Sequence, residues 1–422
     1  MTTGTTSRQT DVRWTELETL VGAAHFRPAT DADSIDGVTP AFQVSPASTE
    51  EISAILKWAV AAGIAVCVRG GGTKQSWGNS PRRGDLVISM ERFAGACEHA
   101  WEDMTFTVKA GSTIAALQAD LATHRQRLAL DPLWPDHCTV GGVIATNDGG
   151  SLRLRFGSVR DLLLGVTIVL ANGTIARSGG KVVKNVAGYD LPKLLTGSFG
   201  TLGVITEATF RAHPLPQSTR TLSFEFDNLD AANRFILTIA DSALVPTGVQ
   251  LRSQTDANPA VDIRFEGIPI GIEAQAVQAT ISANVHSVES SGDCWTIRES
   301  LWTGASPAVV GKFSILPARI AAAVDLLRHH LPVAKAVVQA TGIGLFRAET
   351  DALEKLSQSI SNFRGGIEKI GGTIALLDLP LDLKRQIDVF GQARDTFPLM
   401  RRIKQQFDPN GTLNPGRFVG GI

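Results

Sequence analysis

The sequence is poor in cysteine, tyrosine and net charge. Its four cysteines, Cys67, Cys97, Cys138 and Cys294, lie far apart and form no C-x-x-C pair, so neither a zinc site nor an iron–sulfur cluster is expected. Buried or free thiols of a reduced compartment are the simpler interpretation. The 40 Lys and Arg residues are balanced by 41 Asp and Glu residues, which gives a net charge of -1. This balance removes the main electrostatic reason to expect nucleic-acid binding.

Long apolar runs are missing as well. The first residues, Met1 to Asp11, are polar, and no later segment has enough consecutive apolar residues for a signal peptide or a membrane span. We therefore expect a cytoplasmic protein. The 422 residues, with 43% hydrophobic and 19% charged residues, predict a globular chain with a large core and two or three folding units.

Glycine is abundant, with 41 residues, and many of these form runs in the first half of the chain. Ser48 to Glu51 is a capping box before an apolar helical pattern, and Gly63 marks the end of that helix. Ile64 to Val68 then predicts a buried strand that leads into Arg69-Gly-Gly-Gly72-Thr-Lys74. Successive glycines after a strand expose backbone N–H groups that can hold a pyrophosphate, although such a run alone is equally well explained as a turn.

Two further glycine clusters follow, in a predicted loop from Thr139 to Asn147 and in the segment from Gly197 to Thr206. Asn172-Gly173 between two apolar runs predicts a β-hairpin. No G-x-G-x-x-G opens a helix, Gly180-Lys181 lacks the other residues of a P-loop, and Gly197 to Gly200 is out of step with the G-x-S-x-G of serine hydrolases. A ligand that reaches several loops, such as a dinucleotide, would explain why the clusters are confined to one half of the chain.

Beyond Pro214 to Pro216 the glycine content is ordinary, and strand and helix patterns alternate. The predicted architecture is a sheet with helices on one face. Strands are predicted at 221–226, 261–265, 311–316, 336–339 and 373–377. Helices are predicted at 231–240, 272–284, 318–329 and 350–363. The polar, turn-rich stretch from Phe407 to Phe418 predicts that the final segment returns to the first domain.

Four segments together resemble a known family: Arg69 to Lys74, Thr139 to Asn147, Lys181 to Leu195 and Gly197 to Thr206. They are similar to the FAD-binding domain of the p-cresol methylhydroxylase and vanillyl-alcohol oxidase superfamily. The similarity covers roughly residues 38–216, and the closing Asn414-Pro-Gly-Arg417 also matches. Within the superfamily, Lys184 to Asp190 resembles an FAD-binding component of bacterial glycolate oxidases, the one that works beside a sister flavoprotein.

The resemblance implies an α+β fold in three parts. Residues 1–216 would form a PCMH-type FAD-binding domain with two subdomains. Residues 217–397 would form an antiparallel-sheet cap domain, and residues 398–422 would return to the FAD-binding domain.

The resemblance also implies non-covalently bound FAD, because Thr73 stands where some relatives attach flavin to a histidine. One group of residues would wrap the pyrophosphate: Arg69, Gly70, Gly71, Gly72, Thr73 and Lys74. A second group would line the phosphates, the ribose and the flavin: Thr139, Gly141, Gly142, Thr146, Asn147 and Gly150. Pro132 would approach the isoalloxazine ring, and the adenine would lie against Gly203, Val204 and Ile205.

Oxidation of a 2-hydroxy acid needs a cation for the carboxylate and a base for the hydroxyl proton. Arg417 and His137 are the catalytic candidates, although a surface arginine in a turn and a structural histidine explain them as well. Lys312 is interpreted as a solvated strand end. Arg298 is interpreted as a partner of Glu299 or as a cover for apolar surface.

A histidine motif around Gly-Asp-Gly-Asn provides the metal site and the base in relatives that oxidise 2-hydroxy acids unaided. The comparable region here, Gln339 to Arg347, contains no histidine. His329 and His330 are adjacent on a predicted helix and would face different directions. We therefore expect no metal site and no base from this motif.

Two functions of different class follow from the resemblance. The first is an FAD-dependent component of a glycolate oxidase complex that oxidises glycolate or D-lactate and passes electrons to an iron–sulfur subunit beside a sister flavoprotein subunit. The second is a subunit that holds FAD for electron transfer or assembly without turning over a substrate. A standalone oxidase that uses oxygen is a third possibility. Membrane association would be peripheral at most, through the complex.

Overall fold

The computed structural model describes residues 12–181, 190–285, 287–290, 292–304, 307–349 and 353–422. No helix in these ranges is long and apolar enough to cross a membrane. Most of the segment on which the similarity to a glycolate oxidase component depends, from Lys184 to Tyr189, lies outside the described residues. Its last member, Asp190, caps a short helix by accepting a hydrogen bond from the backbone N–H of Lys193 at 3.1 Å.

The first subdomain is a four-stranded sheet in which three strands are parallel and the edge strand β1 is antiparallel. In sheet order its strands are β1 (Phe26–Pro28), β2 (Phe42–Val44), β4 (Leu86–Ser89) and β3 (Val66–Arg69). Two helices accompany it, α1 (Val12–Val21) and α2 (Thr49–Ala62).

Helix α2 confirms the prediction of a helix with both ends marked. The Ser48 side chain accepts a hydrogen bond from the backbone N–H of Glu51 at 3.0 Å, and Gly63 ends the helix in the left-handed conformation. The return bond of the capping box is shifted by one residue, because the Glu51 carboxylate accepts from the backbone N–H of Ala47. The helix buries Ile52, Ile55 and Leu56.

The second subdomain is a five-stranded antiparallel sheet. In sheet order its strands are β5 (Ala96–Ala100), β6 (Thr105–Lys109), β10 (Val204–Arg211), β8 (Leu163–Val169) and β9 (Ile175–Gly179). A small pair, β7 (Gln126–Arg127) and β11 (His213–Pro214), lies beside it. The helices are α3 (Ile114–Ala122), α4 (Val140–Thr146), α5 (Arg153–Phe156), α6 (Val159–Leu162) and α7 (Leu191–Leu195). The β8–β9 hairpin around Asn172-Gly173 confirms the predicted turn.

Helix α4 corrects the sequence analysis, which predicts a loop from Thr139 to Asn147. The Thr139 side chain accepts from the backbone N–H of Gly142 at 3.3 Å, and Asn147 ends the helix with a φ of 50°. The apolar residues Val140, Val143 and Ile144 are buried in the core on one side of the helix. Capping and burial therefore outweigh the low helix propensity of the two glycines.

The cap domain is an eight-stranded antiparallel sheet. In sheet order its strands are β15 (Ser287–Glu289), β12 (Ser218–Glu225), β14 (Ala260–Gly267), β13 (Gly248–Ser253), β17 (Ala334–Gln339), β18 (Ile343–Glu349), β16 (Ala308–Ser314) and β19 (Thr373–Asp378). The helices are α8 (Leu229–Asp241), α9 (Pro269–Ala283), α10 (Ile320–His330), α11 (Leu353–Lys369) and α12 (Leu381–Lys384). Strands β13, β15 and β18 are absent from the sequence prediction.

Alternation along strand β16 decides which side chains face the first domain. Val309 and Phe313 are buried among the cap helices. Lys312 therefore points to the opposite face, where Leu345 and Leu377 on neighbouring strands pack against Trp77 of the first domain. The interpretation of Lys312 as a solvated strand end is wrong, because it lies within the strand on the face turned toward the first domain.

The last segment returns to the first domain, as predicted. It contains α13 (Phe397–Phe407), after which Leu413 pairs with Val66 of β3. The backbone N–H of Val66 donates to the carbonyl of Thr412 at 2.7 Å, and that of Asn414 donates to the carbonyl of Val66 at 2.9 Å. Leu413 is fully buried in the core of the first domain. This return places Arg417 beside the glycine-rich segment.

Candidate active site

A cavity in the first domain lies between the segment after β3, helix α4, the start of β10 and the C-terminal return; we call it the cofactor cavity. Its wall is largely backbone and small side chains. The predicted cofactor residues that line it are Gly70, Gly71, Gly72, Thr73, Lys74, Thr139, Gly141, Gly142, Thr146, Gly203, Val204 and Ile205. The structure therefore brings together three glycine clusters that are far apart in the sequence.

The segment from Gly70 to Thr73 has no room for side chains at its first two residues. A Cβ at Gly71 would lie 1.7 Å from the carbonyl oxygen of His137, and one at Gly70 would lie 2.1 Å from Oγ1 of Thr139. Gly72 has a φ of 74°, which favours glycine. Within the described residues, no protein acceptor binds the backbone N–H groups of this segment. Such a row of free amides fits a pyrophosphate.

The two cations beside this segment are already paired with carboxylates. Arg69 Nη1 lies 2.9 Å from Oδ1 of Asp33, and Arg69 Nη2 donates to Oε1 of Gln43. Lys74 Nζ lies 3.2 Å from Oδ2 of Asp148, and both of these residues are buried. Backbone amides therefore remain as the groups that would meet the pyrophosphate charge.

Four other predicted residues lie outside the cofactor cavity. Asn147 lines a second cavity described below. The backbone N–H of Gly150 donates to Oδ1 of Asp131 at 3.0 Å, at the junction with the cap. Pro132 is buried near that junction. His137 is exposed in an outer cleft that it shares with Arg69, and its carbonyl packs on Gly71.

Arg417 lines the cofactor cavity and is buried, so the interpretation as a surface arginine is wrong. Its Nη2 donates to the carbonyls of Gln75 at 2.8 Å and Trp77 at 2.6 Å. Its Nη1 lies 3.6 Å from Oδ2 of Asp36. These contacts fix the chain immediately after the glycine-rich segment, which is a positioning role.

A second cavity lies between the two domains; we call it the inter-domain cavity. It has a volume of about 360 Å³ and shares Thr146 and Phe199 with the cofactor cavity. Lys312 lines it, and burial lowers the pKa of its ammonium, an effect that the charge of Asp148 opposes. Within the described chain, Lys312 has neither a hydrogen bond nor an ion pair.

Arg298 is a buried cation that lies near Asp131 and Gly150 of the first domain. Its Nη2 donates to the carbonyl of Asp131, and its Nη1 is buried without a hydrogen-bond partner. A Cβ at Gly150 would lie 2.6 Å from that Nη1. The predicted pairing with Glu299 is wrong, because the Glu299 carboxylate accepts from the backbone N–H of Trp134 at 3.2 Å. Sequence patterns could not reveal this role, since Arg298 and Gly150 are distant in the chain.

No histidine, aspartate or glutamate is among the described residues that line these two cavities. Nor do the described ranges contain a group of His, Cys, Asp and Glu side chains able to hold a metal ion. The arrangement can therefore bind an anion and a large cofactor, but it supplies no ordinary base.

Comparison with known proteins identifies the cofactor. Residues 40–179 match the FAD binding domain family, and residues 391–418 match the C-terminal domain of FAD linked oxidases. The structure is similar to p-cresol methylhydroxylase with substrate bound, with a TM-score of 0.75, 15% identity and 96% coverage of both chains. It is also similar to alkyldihydroxyacetonephosphate synthase, with a TM-score of 0.74, 18% identity and coverage of 98% of this chain and 86% of the other.

Curated relatives extend this similarity to most of the chain. The glycolate oxidase subunit GlcD of Bacillus subtilis is 27% identical over 426 residues, which cover 90% of each chain. The D-lactate dehydrogenase of Archaeoglobus fulgidus is 29% identical, with 89% of this chain and 90% of the relative covered. The glycolate oxidase subunit GlcE of Escherichia coli is 28% identical over 327 residues, covering 76% of this chain and 83% of the relative. The chain is thus a flavoprotein with the PCMH-type fold, and its cofactor is FAD.

Proposed function

We propose that this FAD-linked oxidoreductase oxidises a small 2-hydroxy acid, glycolate or D-lactate, as the FAD-binding component of a glycolate oxidase complex. The relatives named as glycolate oxidase subunits and D-lactate dehydrogenase support this choice. The structural observation that carries it is the half-buried cation Lys312, which lines the inter-domain cavity without a carboxylate partner among the described residues. The buried Arg298 lies near the junction of the two domains but lines neither cavity.

The residues of this chain would divide the work as follows. Bound FAD supplies the acceptor for the hydride that leaves the alcohol carbon. The backbone amides of Gly70 to Thr73 would hold the pyrophosphate of FAD. Lys312 would bind the substrate carboxylate, since charge-assisted hydrogen bonds are strongest where water is excluded. Arg298 would hold the loop that contains Asp131 and Gly150 in place. Arg417 would keep the glycine-rich segment in place.

Electron transfer would need partners. The described cysteines are three buried thiols and the exposed Cys97, and they form no cluster site. We therefore propose that electrons pass to an iron–sulfur subunit, beside a sister flavoprotein subunit. His137, which is exposed in the outer cleft, stays a candidate base that only a substrate complex or kinetics would test.

One observation favours a second function, in which the chain holds FAD for electron transfer or assembly without turnover of its own. The described walls of both cavities lack an imidazole or carboxylate that could take the hydroxyl proton. In that case a sister subunit would oxidise the acid.

Anaerobic mixing of the FAD-loaded chain with glycolate or D-lactate separates the two functions. Bleaching of the flavin band by the chain alone supports oxidation at this site, whereas bleaching only after addition of sister subunits supports the second function. We expect Lys312→Met to slow bleaching at least tenfold, because it removes the carboxylate anchor. Lys335→Met, which changes an exposed lysine of the same sheet, is the control and should bleach like the parent. Equal rates in Lys312→Met, Lys335→Met and the parent would contradict the assigned anchor.

A further inference from the structure

The inter-domain cavity is larger than a two-carbon or three-carbon acid requires. Its volume of about 360 Å³ falls within the roughly 300–1,000 Å³ typical of cavities that bury drug-sized ligands. We propose, building on the oxidation of a 2-hydroxy acid at this site, that glycolate and D-lactate are its weaker substrates and that it prefers a 2-hydroxy acid with a bulky apolar side chain, either aromatic or a medium-length alkyl chain.

The burial of the lining residues gives the cavity a direction. The closed end contains the buried residues Trp77 and Leu377 together with Lys312. The mouth is formed by exposed residues that include Ser314 and Thr373. A carboxylate bound to Lys312 would therefore leave the rest of the acid extending along the cavity toward the mouth.

The wall between these two ends is apolar and only partly covered by the protein. Phe199 of the first domain, Phe390 beyond the cap sheet and Phe418 of the C-terminal return meet there, with ring centroids 5.4 Å, 5.4 Å and 5.8 Å apart. Phe397 and Met400 on α13 add to this wall. Because these side chains are half-buried, an apolar ligand would remove more of their surface from water and gain binding energy.

Phe199 holds a costly conformation at the junction of the two cavities. Its φ of 54° lies in the left-handed region, which is unfavourable for a bulky residue. The conformation is fixed by hydrogen bonds from its backbone N–H to the carbonyl of Ala145 at 2.8 Å and from Asn414 to its own carbonyl at 3.0 Å. The ring therefore stands where the cofactor cavity opens into the apolar wall.

The charges around the cavity favour an apolar tail over a second carboxylate. Arg394 is the cation at the mouth, but its Nη2 donates to the carbonyl of Gly372 at 3.3 Å and lies 3.9 Å from Oε1 of Glu368. Its side chain is also more than half exposed, so its attraction for an anion is screened by water. Lys312 is left as the principal anchor for an anionic group in this cavity.

The test compares a series of acids on the FAD-loaded full-length chain. Calorimetry would give Kd, and anaerobic stopped-flow absorbance would give the rate of flavin reduction, for glycolate, D-lactate, D-3-phenyllactate, D-2-hydroxyoctanoate and D-2-hydroxyglutarate. We expect D-3-phenyllactate or D-2-hydroxyoctanoate to bind at least tenfold more tightly than D-lactate. D-Lactate or 2-hydroxyglutarate as the tightest ligand would overturn the inference and leave the proposed function intact. Absence of binding by every acid would overturn both.

Variants of α13 connect the preference to the apolar wall. Phe397→Ala and the milder Met400→Ala should reduce the ratio of affinities for D-3-phenyllactate and D-lactate at least threefold. Leu399→Ala is the matched control, because Leu399 lies on the same helix with 56% of its surface exposed and does not line the cavity. A ratio that stays at the parent value in both wall variants would count against the assignment of this wall to the substrate side chain.

Discussion

At the scale of single residues, the site depends on glycines, which have no side chain, as much as on the side chains that are present. Gly71 faces the carbonyl of His137 so closely that even a methyl group would displace one of the two segments. Arg69 and Lys74, which the sequence suggests as phosphate ligands, instead form ion pairs with Asp33 and Asp148. A row of glycines predicts free amides because the missing side chain is a local property. The pairing of a cation depends on distant residues and leaves no sequence pattern.

We expect Gly71→Ala to weaken FAD binding at least a hundredfold, because the new Cβ would meet the backbone of His137 at 1.7 Å. Flavin fluorescence titration of the apoprotein measures this loss. The control is Gly365→Ala in α11, where nothing lies within 4 Å of the added methyl group. That change should leave FAD affinity unaltered and raise the free energy of unfolding by roughly 0.5–1 kcal/mol, as alanine does in a helix. Normal FAD binding by Gly71→Ala would refute the assignment of the glycine-rich segment to the pyrophosphate of FAD.

At the scale of elements, sequence predictions are correct where the signal is local. Both ends of α2 are marked by residues that form the expected hydrogen bonds, and the hairpin at Asn172 is set by its turn. Helix α4 is not predicted because its two glycines favour a loop even though Thr139 is a good N-cap. Strand β18 is not predicted because a glycine within the strand weakens the alternating pattern of apolar residues. The position of Lys312 within β16 follows from strand alternation and pairing, which need the tertiary structure.

The short strand pair β7–β11 carries a pH-dependent contribution to stability. His213 lies there with its ring against Phe156 and its Nδ1 buried without a partner. Burial, with the nearby charges of Arg211 and Arg127, lowers the pKa of His213 to about 4. In the unfolded chain the pKa of this histidine is near 6.5, so the unfolded state binds more protons than the folded state between about pH 4 and pH 6.5. The contribution of His213 to the free energy of unfolding is therefore fully present above about pH 6.5 and is lost as the pH drops toward 4.

Replacing His213 should flatten that dependence. Between pH 7 and pH 4.5, the free energy of unfolding of His213→Gln should fall by roughly 1 kcal/mol less than that of the parent. This figure is reduced to allow for the partial exposure of the ring. Denaturant unfolding at a series of pH values provides the comparison. Phe156→Leu serves as the control, since it weakens the ring contact but keeps the titrating group, and it should retain the parental slope. An identical slope in His213→Gln would show that this residue is not responsible.

At the scale of the whole molecule, the two domains are joined by a buried charge cluster next to the cofactor cavity. Lys384 of the cap lies 2.6 Å from Oδ2 of Asp36 in the first domain and donates to the carbonyl of Ser76. Arg417 of the C-terminal return approaches the same carboxylate and binds the carbonyls on either side of Ser76. The cap and the C-terminal return thus both hold the short segment that follows the glycine-rich segment, and Asp36 of the first domain lies between their two cations. Docking of the cap and affinity for FAD should therefore change together.

A double-mutant cycle on Lys384 and Asp36 tests this coupling. Lys384→Met should reduce the free energy of unfolding by about 1–3 kcal/mol, because the Asp36 carboxylate loses its closer cation and keeps the weaker contact with Arg417 at 3.6 Å. It should also weaken FAD binding, since Ser76 loses the contact that fixes its carbonyl. Adding Asp36→Asn removes the carboxylate that has lost its closer cation, and asparagine tolerates the φ of 49° at this position, so the double variant should recover part of the stability. FAD affinity should recover less, because the contact with Ser76 stays lost. Strictly additive losses of stability would mean that the two residues do not act as a pair, and an unchanged FAD affinity would separate cap docking from the cofactor site.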